Sequence, residues 1–107
     1  MPTVTPDAAC VVRALIEDAG LSGEAGLRIV SDPRHHSLSM GLAAARPGGD
    51  SLISKDDAHV FLPPPVAERL AGNTLCAEIT AARSVFFLDR VPARAARGGL
   101  RRKIRLS

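Results

Sequence analysis

The sequence contains no tryptophan and no tyrosine, and three phenylalanines are its whole aromatic content. Stacking platforms for single-stranded nucleic acid are therefore nearly absent, and the core must be built from Val, Leu, Ile and Ala. Cysteine is scarce as well. Cys10 and Cys76 lie far apart, in no CxxC or other metal-ligand spacing. No apolar run approaches the roughly 20 residues that span a bilayer, and no charged n-region, apolar h-region and cleavage site opens the chain. The expected home is the cytoplasm, where both thiols stay reduced, and no membrane partner is expected. Acidic residues are missing from the C-terminal end. Residues 90–107 carry seven basic side chains and no acidic ones, against seven basic and eleven acidic in residues 1–89. The chain is an acidic body with a basic tail.

At 107 residues there is room for one domain and a single core. The stretch that organises it is Gly26–Leu42. Leu27, Arg28, Ile29 and Val30 alternate before turning fully apolar, as a half-buried strand does. Asp32-Pro33 breaks the run, since Pro offers no N–H and Asp folds its side chain onto the local backbone. Leu38, Met40 and Leu42 then resume a period of two, which predicts a second strand. Between them lies Arg34-His35-His36-Ser37, the densest set of metal-binding and acid–base side chains in the chain.

Before this stretch, Thr5-Pro6-Asp7 reads as a helix start: an N-cap, a proline at the first position and an acid facing the dipole. Val11, Val12, Leu15 and Ile16 recur at helical spacing through Ala19. Gly20 suits a left-handed C′ position, with Leu21 able to touch Ile16. Cys10 falls toward the polar side. After it come a Pro-Gly-Gly turn at 47–49, a short strand over Ser51–Ser54 and a tight turn at Lys55-Asp56-Asp57. Ala58–Leu62 reads as the next strand. A short helix near Pro65 would put Val66, Ala67 and Leu70 inward and stop at Gly72. Thr74–Thr80 and Arg83–Leu88 are the last strands of the body. Helix, strands, short helix, strands, with no βαβ alternation, predicts a single α+β domain with a mostly antiparallel or mixed sheet.

The body resembles the HesB-like, or A-type, iron–sulfur cluster biogenesis proteins. Val4-Thr5-Pro6-Asp7-Ala8-Ala9 is similar to that family's start of helix 1, and Gly26-Leu27-Arg28-Ile29 to the strand leading to its first cysteine. Ser37-Leu38-Ser39-Met40-Gly41-Leu42 lines up with its Gly-Leu-Ser-Tyr-Gly-Leu. Val60-Phe61-Leu62 and Leu70-Ala71-Gly72-Asn73 resemble its strand–helix–Leu-Asp-Gly segment. The likeness spans roughly residues 4 to 89 and implies a HesB-like fold, a non-enzymatic role and protein partners. The family holds its cluster or iron with three cysteines. Here the first falls at His35, and the Cys-Gly-Cys pair has no counterpart; the tail offers Gly98-Gly99 and arginines instead. Thiolate is the soft ligand that retains such clusters. The resemblance thus implies a retained scaffold without a stable cluster, with weak iron or iron–sulfur binding at most.

The metal candidates are His35, followed by His36 and His59. Adjacent histidines in an extended backbone point to opposite faces, so His35 and His36 would share an ion only within a turn, and a His35–His59 pairing depends on the fold. Polar turn histidines without a ligand are the alternative. Ser37 and Ser39 lie close to histidines along the chain, which says little about a triad. There is no Walker loop or dinucleotide fingerprint, so no enzyme is expected. The tail from residue 90 supplies a second candidate surface: Arg94, Arg97, Arg101, Arg102, Lys103 and Arg105 would meet nucleic acid or an acidic protein through phosphate or carboxylate contacts. It is expected to be mobile from about Ala93, because exposed ion pairs alone are too weak to fix it. A short helix through Leu100 and Ile104, or a segment folded back on the acidic body, is the alternative.

Overall fold

Helix α1 runs from Pro6 to Asp18. The computed structural model describes residues 2–32, 34, 37–79, 84–90, 101–103 and 105–106. The helix ends are built as the sequence predicts. The Ala8 N–H donates to the Thr5 hydroxyl at 3.2 Å, and Pro6 stands where its missing N–H costs nothing. At the other end Gly20 takes a φ of 70°. There the Leu21 N–H donates to the Ile16 carbonyl at 3.1 Å and the Gly20 N–H to Glu17 at 3.0 Å. These two bonds are the paired signature of a Schellman ending. Ala8, Ala9, Val11 and Val12 are buried, while Cys10, Arg13, Glu17 and Asp18 face solvent.

Among the described residues nine strands form two sheets. The five-stranded sheet runs in the order β4 (Ser51–Lys55), β5 (Ala58–Leu62), β2 (Gly26–Asp32), β3 (Ser37–Ala43) and β9 (Arg105–Leu106). The four-stranded sheet runs β1 (Thr3–Val4), β6 (Asn73–Ile79), β7 (Ser84–Arg90) and β8 (Arg101–Lys103). Sequential neighbours pair antiparallel, whereas β2–β5, β1–β6 and β3–β9 pair parallel. The expected mixed-sheet α+β architecture is therefore observed. The strands predicted at 27–30, 38–42 and 58–62 share one sheet, as the sequence requires.

Between the sheets lies the core, because each strand turns alternate residues inward. Leu27, Ile29, Met40 and Val60 from one sheet meet Leu75 and Leu88 from the other. Helix α1 closes one side, and helix α2 (Pro64–Arg69) adds Val66 and, just beyond its end, Leu70. Aliphatic side chains dominate, as the shortage of aromatics demands. A residual void of about 10 Å³ among them is at the lower limit of the room one water needs, about 10–15 Å³. No described helix is long and apolar enough to cross a membrane.

Two features differ from the sequence reading. Thr3–Val4 adds a strand beside β6, with Val4 opposite Leu75; two residues are too few to show a period. The sequence reading gives the tail no strand, and the backbone at 101–103 and 105–106 lies in the two sheets. Arg102 pairs with Leu88 of the four-stranded sheet, and three positions on Arg105 pairs with Ser39 of the five-stranded one. The outer edges of β7 and β3 offer the backbone donors and acceptors for this pairing.

Candidate functional site

The β2–β3 hairpin stays in register up to Asp32 opposite Ser37, so residues 33–36 form the connection. Asp32 behaves as its sequence context predicts: Oδ1 accepts from the Arg34 N–H at 2.9 Å, an Asx-type turn that fixes the exit from β2. Arg34 and Ser37 are exposed, and Ser39 is half-buried. His35 and His36 lie outside the described residues.

His59 belongs to the other end of the sheet. Leu27 pairs with Val60, which sets His59 beside Gly26 at the start of β2. Asp32, where the 33–36 turn departs, is six residues further on, about 20 Å at roughly 3.3 Å per residue. The His35–His59 pairing left open by the sequence involves a residue outside the described ones. His59 is instead engaged by its cross-strand neighbour, with Nδ1 3.0 Å from Ser54 Oγ. That contact was legible in principle. A two-residue turn at Asp56-Asp57 makes Lys55 face Ala58, and Ser54 must then face His59.

On this same face of the sheet, Arg28 meets Asp50. Nε donates to Oδ2 at 2.8 Å and an Nη to Oδ1 at 3.2 Å. Asp50 is 8% exposed and the Arg28 side chain 36%. The hydrogen bond to Asp50 pushes Arg28 above the ordinary arginine value, with burial opposing it. The pair reaches across β5, on the side where Phe61 is buried. Gly26 has a separate reason to be glycine. A Cβ there would stand 2.6 Å from the His59 carbonyl oxygen and 2.9 Å from the Phe61 ring, closer than packed atoms tolerate.

A cleft of about 290 Å³ opens between the second half of α1, the loop at 21–25 and the β4–β5 turn. Val12, Ile16, Leu21, Ala25 and Ala58 make its apolar wall, and Arg13, Glu17, Asp57 and His59 border it. The Arg13 guanidinium donates to the Asp56 carbonyl, which ties helix to turn. Sequence reasoning missed this cleft, since its walls come from three separate segments.

The thiols do not assemble a cluster site. Cys10 is exposed on α1, and half-buried Cys76 on β6 directs Sγ to the Thr74 carbonyl at 3.7 Å. Among the described residues no three His, Cys, Asp or Glu side chains converge. Two thiols on different elements do not fit the three or four thiolates that retain an iron–sulfur cluster. Of the basic candidates, Arg94 and Arg97 lie outside the described residues. Arg101, Arg102 and Lys103 form β8, and Arg105 opens β9.

Two mixed sheets with an N-terminal helix across one side and a short helix before β6 define an α+β fold of the HesB-like class, the class that the sequence resembles. Among solved structures, SufA of Escherichia coli, described as involved in biosynthesis of iron–sulfur clusters, matches with a TM-score of 0.68 at 22% identity, over 82% of this chain and 83% of that one. IscA, solved with a [2Fe–2S] cluster, matches with 0.65 at 21% identity, over 84% and 85%. A protein from Aquifex aeolicus, solved by NMR, matches with 0.66 at 20% identity, over 85% and 91%. No protein-family model and no curated protein matches the sequence. At these identities the likeness establishes a shared fold.

Proposed function

We propose that the chain is a divergent, non-enzymatic member of the A-type iron–sulfur biogenesis proteins, working in the cytoplasm as an accessory, partner-binding protein. The observation that carries this reading is the fold itself: SufA and IscA superpose over more than four-fifths of both chains. Divergence is supported by the donor set. The whole sequence has two cysteines, and the position resembling the family's first ligand is His35. Any iron bound here would be weakly held cargo, with His35 as its first contact and His36 next; His59 is occupied by Ser54.

Metal analysis after anaerobic, tag-free purification tests the proposal, followed by reconstitution with iron and sulfide. The expected result is substoichiometric iron that gel filtration removes. A stoichiometric cluster surviving the column would overturn the partner-binding, cluster-free part. Loss of the iron signal in His35→Ala, with folding unchanged, would place the residual binding at the turn.

A further inference from the structure

From the α1/β4–β5 cleft we infer a docking site for a short, cationic and aliphatic segment of a partner protein. The inference deepens the partner-binding reading and rests on that part of it, not on iron chemistry. The cleft's volume, about 290 Å³, falls just below the roughly 300–1,000 Å³ of small-molecule pockets. That accommodates an aliphatic side chain or two and is small for a cofactor. Its wall is apolar, with Ile16 and Leu21 only half-buried, so an incoming Leu or Ile would complete their burial.

The charge at the mouth selects what flanks that anchor. Glu17 on the helix and Asp57 on the turn are exposed and border the opening from two sides. Neither has an ion-pair partner among the described residues, where Arg28–Asp50 is the pair formed. The groups that would neutralise them are used locally. Arg13 donates to the Asp56 carbonyl, and the His59 imidazole is held by Ser54. Asp18, Glu24 and Asp56 are exposed on the same three segments, which extends the negative field beyond the cleft. An aliphatic anchor flanked by Lys or Arg satisfies both the wall and the mouth. An acidic segment is rejected by like charge.

The turn makes this mouth a rigid one. Asp56 and Asp57 have φ of 49° and 67°, the left-handed pair that a two-residue hairpin turn requires. The Arg13 contact joins that turn to α1. The carboxylates are thus presented on fixed elements, which lowers the ordering cost of binding.

The test uses the full chain with ¹³C-labelled Ala, Ile, Leu and Val methyls, titrated with a fluorescein-labelled peptide of alternating Leu and Lys. The same peptide with Glu for every Lys is the control. Shifts centred on Val12, Ile16, Leu21, Ala25 and Ala58, and affinity at least tenfold higher than for the Glu peptide, are expected. Glu17→Lys combined with Asp57→Lys should weaken the Lys peptide at least tenfold, and Ser22→Trp should block it by filling the cleft from an exposed loop position. Methyl shifts elsewhere, no saturable binding, or equal affinity for both peptides would overturn the inference. Shifts that grow with protein concentration alone, with a dimer mass on light scattering, would assign the cleft to a second copy and overturn it too. Iron content measured on the same samples keeps the two readings apart, because a failed cleft leaves that result unchanged.

Discussion

Arg28 and Asp50, 22 positions apart in the chain, form a bidentate ion pair that bridges β2 and the start of β4 across the intervening strand β5. Asp50 is nearly withdrawn from solvent, so its carboxylate depends on the guanidinium for solvation. Arg28→Ala should cost about 1–3 kcal/mol, the range for stranding a buried polar group. Adding Asp50→Asn to that variant should recover part of the loss, since it removes the stranded charge. Chemical denaturation of the two single and the double variants measures the coupling.

The same pair has a defined pH behaviour. The hydrogen bond to Asp50 raises Arg28 above its ordinary value. A raised cation contributes stability that is present below its unfolded-state pKa and lost only as pH climbs through the folded one. Both lie beyond the range in which the protein is handled. The stability difference between wild type and Arg28→Ala should therefore be equal at about pH 7 and about pH 10. A difference that shrinks at the alkaline end would contradict the assignment.

Gly26 should tolerate no side chain. A Cβ would meet the His59 backbone oxygen at 2.6 Å, and a backbone atom inside a sheet has little room to retreat. Gly26→Ala should destabilise by about 1–3 kcal/mol, the usual range for overpacking, whereas Gly41→Ala, with nothing within 4 Å of the new atom, should not pay that steric penalty. Thermal melts of the two variants side by side provide the check.

What the sequence makes legible follows from how far apart the cooperating residues stand. The ends of α1, the Asp32 turn and the Asp56-Asp57 hairpin are local, and the structure shows each where spacing and turn chemistry put it. Strands β2 to β5 of the five-stranded sheet are readable from alternation and turn signals, β9 is not, and the fold is readable from the resemblance. Arg28–Asp50 and the cleft are long-range and carry no local signature: nothing in Asp50's neighbourhood says that it will be buried beneath an arginine. His59 shows the boundary between the two cases. Its partner Ser54 follows from turn length, but its place beside Gly26 follows from a parallel pairing with β2 that periodicity does not encode.

The turn itself offers a gain in stability. Asp56 and Asp57 both adopt left-handed backbone, which an L-residue with a Cβ enters at a cost. Glycine carries no such penalty, and Asp-Gly is a favoured two-residue hairpin pair. Asp57→Gly should therefore stabilise by roughly 0.5–1 kcal/mol, while Asp57→Val, β-branched at a positive φ, should destabilise. Because Asp57 also borders the cleft, Asp57→Gly should weaken the cationic peptide while raising the melting temperature, a combination that general unfolding does not produce.

The last prediction concerns residues 101–107. Exposed ion pairs contribute about 0–1 kcal/mol each and are screened beyond about 8 Å at physiological salt, so charge alone does not hold a basic tail in place. Backbone pairing is a different source of order. Arg101, Arg102 and Lys103 pair with Asp89, Leu88 and Phe87, and Arg105 and Leu106 with Ser39 and Met40. These five positions thus tie the outer edge of one sheet to the outer edge of the other. Each added hydrogen bond contributes a net of about 0.5–1.5 kcal/mol, against roughly 1–2 kcal/mol of backbone entropy per residue ordered. The two largely offset each other, so the strap's net contribution is small. Its second effect is to cover two strand edges that would otherwise stay open to another chain. Deleting residues 101–107 should lower the melting temperature by about 5 °C, which corresponds to roughly 1 kcal/mol in a domain of this size. It should also raise the tendency to aggregate at high concentration. Replacing the four basic residues of the strap by Gln should keep most of that stability, since the backbone pairs survive. If the Gln variant melts as low as the deletion, charge rather than pairing fixes the segment, and the strap has no structural role of its own.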